Sequence, residues 1–164
     1  MVVLLGPPGS GKSTVGALLG ERGLRWREWE AMILERWGSR DAFVADERRA
    51  LPWLHDEIIR WIDCEDEIAV IESVGLADAA LLDRLERDAS AFVVRFDVTE
   101  AVAMSRVGQR PQHQHLTDDV EWNRAIWREF YDAVAPSRRV DLAIDAEAMP
   151  ADQIASHILQ RATP

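Results

Sequence analysis

Eight residues near the start of the chain, Gly6-Pro7-Pro8-Gly9-Ser10-Gly11-Lys12-Ser13, have the types and spacing to hold a polyphosphate. They fit the pattern G-x-x-x-x-G-K-S/T, in which glycines let the backbone wrap an anion and aim its N–H groups at phosphate oxygens. Lys12 is placed to reach β- and γ-phosphates, and the Ser13 hydroxyl to ligate Mg²⁺. Gly6, Pro8, Gly9, Ser10, Gly11, Lys12, Ser13 and Thr14 are therefore the expected contacts to a nucleoside triphosphate. The bland alternative is an ordinary Gly-rich turn, and the setting speaks against it. The apolar run Val2–Leu5 reads as a buried strand entering the loop, and Thr14–Leu19 continues a helix that starts at about Lys12. The positive end of that helix adds to the attraction for an anion.

Phosphoryl transfer demands positioning and charge neutralisation more than covalent chemistry. Arg106 and Arg110 lie on a helix-to-loop segment that is expected to close over the nucleotide and stabilise the transferring group. A hydroxyl acceptor needs a carboxylate to orient it and take its proton. Glu28 and Glu30 alternate, so they face opposite ways unless the strand carrying them has already ended. If it has ended, Glu28 can hold a Mg²⁺-bound water while Glu30 faces the acceptor. Glu72, at the end of the third strand, is the rival to Glu30. Trp26, Trp29 and Trp53 are candidates for an aromatic wall, although packing is the commoner fate of tryptophan. Arg48, Arg49 and Arg128 are candidate contacts to an anionic acceptor. His113 and His115 have no Cys or carboxylate ligand set nearby and read as solvent-exposed.

The elements that must position these groups alternate. Strands are expected at Val2–Leu5, Leu24–Trp29, Ile68–Ile71, Phe92–Val98 and Val140–Asp145. Helices are expected at Lys12–Leu19, Glu30–Trp37, Asp41–Asp63 (interrupted at Pro52), Leu76–Arg87 with Asp78 as a possible cap, Thr99–Val107, Asp118–Ala135 and Pro150–Arg161. Alternating strands and helices mean βαβ units and a parallel sheet covered on both faces. One α/β domain over residues 1–164 is the expected organisation, with a short lid at about 106–117 and acceptor-binding helices at about 30–63. In such sheets ligands bind beyond the carboxyl ends of the strands.

Composition narrows the function. The net charge of −10 offers no basic stripe for a polynucleotide, so nucleic acid is not an expected partner. No apolar run approaches the ~20 residues of a membrane span. Met1 leads straight into the first strand, so no signal segment is expected, and the lone Cys64 suits a reducing cytoplasm as helix-end filler. A monomer or small homo-oligomer acting on a small-molecule acceptor is the resulting expectation.

The chain resembles the shikimate kinase-like branch of the nucleoside-monophosphate-kinase group of P-loop phosphotransferases. The phosphate loop followed by Thr14 carries the superfamily likeness, and Leu24–Glu30 resembles a second strand ending in Phe-x-Asp-x-Asp, with Glu28 and Glu30 at the aspartates. Arg110-Pro111 resembles the start of the lid motif. Arg106 falls where an adenine-stacking arginine lies, and Pro150 where a residue packs on the other adenine face. Tyr131-x-x-Val134-Ala135 before Val140-Asp141-Leu142 is similar to the helix running into the last strand. The resemblance implies a three-layer P-loop fold with a five-stranded parallel sheet in the order 2-3-1-4-5, and use of ATP with Mg²⁺.

The departures fall on the acceptor side. Glu72-Ser73-Val74-Gly75 stands in place of Gly-Gly-Gly, and Leu51-Pro52 in place of Phe-Arg-x-x-Glu. A second substrate arginine falls on Trp127, with Arg128 one position away. The resemblance thus implies an acceptor other than shikimate. A small-molecule kinase leads. A nucleoside or nucleoside-monophosphate kinase is the nearest rival. A nucleotide-dependent switch, or a nucleotide binder without catalysis, forms a different class; Phe96-Asp97-Val98-Thr99 lacks the Asn-Lys-x-Asp that reads guanine.

Overall fold

The computed structural model describes residues 1–63, 67–88, 91–111 and 117–162. Its strands β1 (Val2–Leu5), β2 (Arg25–Trp26), β3 (Ala69–Ser73), β4 (Phe92–Asp97) and β5 (Leu142–Asp145) form one sheet. All neighbours pair in parallel, in the order β2-β3-β1-β4-β5 expected from the sequence. Parallel pairing requires crossover helices on both faces, which is why the central strand is apolar on both sides. Val3 and Leu5 of β1 join the core on one face, and Val2 and Leu4 the core on the other.

The C-terminal end of β1 delivers the phosphate loop into α1 (Lys12–Glu21). Register sets Leu4 beside Glu72 and Leu5 beside Ser73, and the Gly6 N–H donates to the Ser73 carbonyl at 3.1 Å. The end of β3 therefore lies against the loop. β3 runs through Glu72 and Ser73, two residues beyond the expected stop, and both are buried.

β2 has only two residues, where six (Leu24–Trp29) are expected from the sequence. The ring of Trp26 lies in the groove left by Gly16 and Gly20 of α1, so close that a Cβ on Gly16 would approach it to 2.4 Å. The strand ends at Trp26, and α2 (Trp29–Trp37) begins three residues on, with Glu28 as its N-cap and Glu30 in its first turn.

The next helical stretch breaks at Asp46 rather than Pro52. Ser39 caps α3 (Arg40–Ala45), its Oγ accepting from the Ala42 N–H at 3.2 Å. α4 (Glu47–Asp63) runs through Pro52, which lies on the exposed side of the helix. α5 (Ala79–Asp88) starts directly after Asp78, later than the expected Leu76, and α6 (Glu100–Gly108) follows β4.

The expected Asp118–Ala135 helix is α7 (Val120–Glu129), capped by Asp119, followed by a π-helical turn at Phe130–Val134. The wider turn brings Tyr131 to the end of β4. Its hydroxyl donates to the Val98 carbonyl at 3.1 Å and accepts from the Val98 N–H at 2.9 Å. α8 (Ala151–Ala162) follows Pro150 and packs on the α1 side of the sheet. Among the described residues no helix is long and apolar enough to cross a membrane.

Candidate active site

The phosphate loop is held by two left-handed glycines, Gly9 at φ 76° and Gly11 at φ 92°. At Gly9 the requirement is doubled: a Cβ there would lie 2.3 Å from the Ala103 carbonyl oxygen of α6. Lys12 folds back over the loop and is buried. Its Nζ donates to the Gly6 carbonyl at 2.7 Å, the Pro7 carbonyl at 3.0 Å and the Ser10 hydroxyl at 3.4 Å. Burial pushes the ammonium down to about 8, against the attraction of Glu72. The Ser13 hydroxyl donates to Glu72 Oε2 at 2.8 Å. Glu72 is 7% exposed, and burial pushes its carboxyl up to about 7 although Lys12 and Ser13 both favour the ionised form.

Two clefts meet at this group. One, of about 750 Å³, runs from the loop residues Gly9–Thr14 past Arg106, Arg110 and Pro111 to Met149 and Pro150. Arg106 is anchored across it, its guanidinium donating to the Ala146 carbonyl at 2.8 Å and the Gly9 carbonyl at 3.4 Å. The Asp145 carboxylate accepts from the N–H groups of Glu147 and Ala148 at 2.9 and 3.2 Å, shaping the turn that carries Pro150.

The other cleft, of about 330 Å³, shares Lys12, Ser13 and Arg110 with the first. Its floor is Glu72, Ser73 and Asp78, and its walls include Trp29, Glu30, Phe43 and Trp122. Burial pushes the Asp78 carboxyl up, opposed by the N–H groups of Gly75 and of Asp78 itself; the Ser73 hydroxyl faces it without closing a bond of normal geometry. Behind Asp78, burial pushes the His55 imidazole down, and its Nε2 is buried without a hydrogen-bond partner among the described residues.

Hydroxyl and carboxylate oxygens are the donors a hard divalent cation takes, so Ser13 with Glu72 fits Mg²⁺. A loop of inward-facing N–H groups, with a buried lysine bound to its carbonyls, fits a polyphosphate.

No family model matches the chain, and no curated protein matches it. Solved structures do. Shikimate kinase from Acinetobacter baumannii, in complex with shikimate, superposes with a TM-score of 0.71 at 20% identity, over 98% of this chain and 91% of that one. A gluconokinase from Sinorhizobium meliloti 1021 gives 0.59 at 21%, over 98% and 91%. Deoxyadenosine kinase from M. mycoides with bound dATP gives 0.58 at 14%, over 100% of both chains. This chain has the P-loop kinase fold, as shared with shikimate kinases.

Within that fold the expected residues separate. Gly9, Ser10, Gly11, Thr14, Arg106 and Pro150 line the larger cleft, and Pro8, Glu30 and Glu72 the smaller; Lys12, Ser13 and Arg110 line both. Gly6 lies beneath them, bonded to β3 and to Lys12. The carboxylate that accepts from the Ser13 hydroxyl is Glu72, and Glu28, at the N-cap of α2, lies near enough to help push the Glu72 carboxyl up. β3 adjoins β1, whereas β2 lies one strand further out and ends before Glu28.

Arg128 is not brought to the acceptor side. It is exposed on α7 and pairs with Glu100 at 3.4 Å. Arg48 and Arg49 are exposed on α4, away from both clefts. Of the three tryptophans, Trp29 lines the smaller cleft, Trp26 packs on α1, and Trp53 meets Trp37 edge to face at 5.3 Å between centroids. Trp127, at the place of a substrate arginine, donates its indole N–H to the Val98 carbonyl at 3.2 Å. Cys64, His113 and His115 lie outside the described residues.

Sequence reasoning did not single out Arg40, Phe43, Val44, Glu47, Trp122 or Asn123 for the cleft, and it read Asp78 only as a helix cap. For Asp78 a signal existed: an acid three residues beyond Gly75, after a strand end that already carried Glu72.

Proposed function

We propose that this chain is an ATP-dependent phosphotransferase that moves the γ-phosphate to a hydroxyl of a small-molecule acceptor. The observation that carries the reading is the contact between the Ser13 hydroxyl and Glu72, at 2.8 Å, where the two clefts join. The larger cleft has the residues for the donor nucleotide and the smaller one room for the acceptor. The three solved structures named above are a shikimate kinase, a gluconokinase and a deoxyadenosine kinase, which supports the reaction class.

The chemistry follows from what each residue can do. The acceptor oxygen attacks the γ-phosphorus; that P–O bond forms while the bond to the β–γ bridging oxygen breaks, and ADP leaves. Mg²⁺, held by Ser13 with Glu72, would neutralise charge on the β- and γ-phosphate oxygens. Lys12 exchanges its loop carbonyls for phosphate oxygens, and bound phosphate favours its charged form. Arg110, on the edge common to both clefts, stabilises charge on the group in flight. Glu30 faces the smaller cleft and orients the acceptor hydroxyl, taking its proton. Arg106 and Pro150 hold the adenine end.

The test is ADP release from Mg-ATP across sugars, hydroxy acids, nucleosides and nucleotides, with Lys12→Ala as the blank. Acceptor-dependent release that the variant loses supports the reading. ATP binding with no release on any acceptor favours a switch or a non-catalytic binder, and overturns it.

A further inference from the structure

Resting on the phosphotransfer reading, we propose that the acceptor is an uncharged alcohol with a flat apolar body, a compound of nucleoside type, and neither a carboxylic acid nor a phosphate ester. Sequence alone leaves this open, because it supplies both aromatic residues for a base and arginines for an acid. The structure separates the two sets. Arg48, Arg49 and Arg128 are exposed and do not line the smaller cleft, and Arg128 pairs with Glu100. Of the cations that line it, Lys12 and Arg110 also line the donor cleft and are committed to phosphate. Arg40 is left. It stacks on the Trp122 ring at 4.9 Å from the centroid and pairs with Asp41 at 3.7 Å.

Against Arg40 stand Glu30 and Glu47, with the buried Asp78 on the floor and Glu72 at the metal position. An anionic acceptor would meet net like charge in a partly desolvated space, where screening by water is weak. An uncharged one would not. The walls argue the positive side of the case. Among the described residues the large hydrophobics exposed to solvent are Val44, at 49%, and Trp122, at 36%, and both border this cleft, from α3 and α7. Exposed apolar groups gathered on one cavity mark a ligand surface. Trp122, whose ring carries the Arg40 guanidinium, adds aromatic surface to the wall, and Phe43 and Trp29 deepen the same space. The volume of about 330 Å³ is at the small end of ligand sites, suited to a nucleoside and too small for a much larger alcohol.

The experiment is calorimetric titration of the full chain, saturated with Mg-ADP, with adenosine, thymidine, shikimate, D-gluconate and D-glucose. One of the two nucleosides should bind at least tenfold tighter than either acid and than glucose. Trp122→Ala, an exposed change that leaves the core intact, should weaken that nucleoside at least tenfold without altering Mg-ADP binding. Glu47→Lys, at the exposed rim, should raise gluconate binding at least threefold. Equal or tighter binding of shikimate or gluconate overturns the proposal, as does binding of neither nucleoside, or a Trp122→Ala protein that binds the nucleoside as before. Failure to bind Mg-ADP at all defeats the phosphotransfer reading itself, and this proposal with it.

Discussion

Replacing Glu72 by glutamine should make the metal-free protein more stable while removing its catalytic power. Glu72 is 7% exposed, and burial pushes its carboxyl from 4.5 up to about 7 even with Lys12 nearby. In the folded, metal-free chain the site therefore holds its proton at pH values where the unfolded chain has released it. A raised carboxyl of this kind contributes stability in full below 4.5 and loses it as pH climbs from 4.5 to about 7. At pH 8 the ionised form costs about 3 kcal/mol relative to the neutral one, at about 1.4 kcal/mol for each factor of ten between 4.5 and about 7. Glutamine keeps the shape and still accepts from Ser13; the attraction to Lys12 is already contained in the value of about 7, and the new buried amide N–H₂ must find an acceptor, which offsets part of the gain, so a net gain of about 1–2 kcal/mol is expected. For a domain of this size that is a rise of about 2–8 °C in Tm.

The assay is thermal unfolding in EDTA at pH 8 and at pH 4, beside ADP release at pH 8 with Mg-ATP. Glu72→Gln should melt higher at pH 8, match the parent at pH 4, and lose about 10–100-fold in activity through weakened metal positioning. A variant that melts lower than the parent at pH 8, or gains as much at pH 4, would refute the view that an ionised carboxylate is buried there at a cost.

Further outcomes follow from single contacts. Gly9→Ala places a methyl 2.3 Å from the Ala103 carbonyl at φ 76°, so the loop must move. Strain of about 1–3 kcal/mol should appear as a lower Tm, with nucleotide affinity reduced at least tenfold in calorimetry. Tyr131→Phe removes both bonds to Val98 and should cost about 1–3 kcal/mol in urea unfolding, with Mg-ADP binding unchanged because Tyr131 lines neither cleft.

The donor half of the site was legible in the sequence because phosphate is recognised by backbone geometry, and a contiguous run of residues encodes that geometry. Alternation of apolar runs with amphipathic ones pointed to a parallel sheet, and the family resemblance implied its strand order. What the sequence hid depends on partners far along the chain. Glu28 and Glu72 are both acids at strand ends, and only the order β2-β3-β1 brings Glu72 against Ser13. Trp26 is interchangeable with Trp29 as a candidate wall until Gly16 and Gly20 are seen to make its slot. Arg128 differs from a substrate ligand by its direction around α7, where it meets Glu100. Val44 and Trp122, some eighty residues apart in sequence, share a cleft only because α3 and α7 converge on it.

The most direct measurement follows the phosphorus. ATP labelled at its γ-phosphate is incubated with Mg²⁺, the protein and each acceptor in turn, and the label is traced by chromatography. The account predicts label in a covalent phosphate ester of a hydroxyl acceptor, absent with Lys12→Ala. Label that stays in ATP, or appears only as inorganic phosphate whatever acceptor is present, contradicts it.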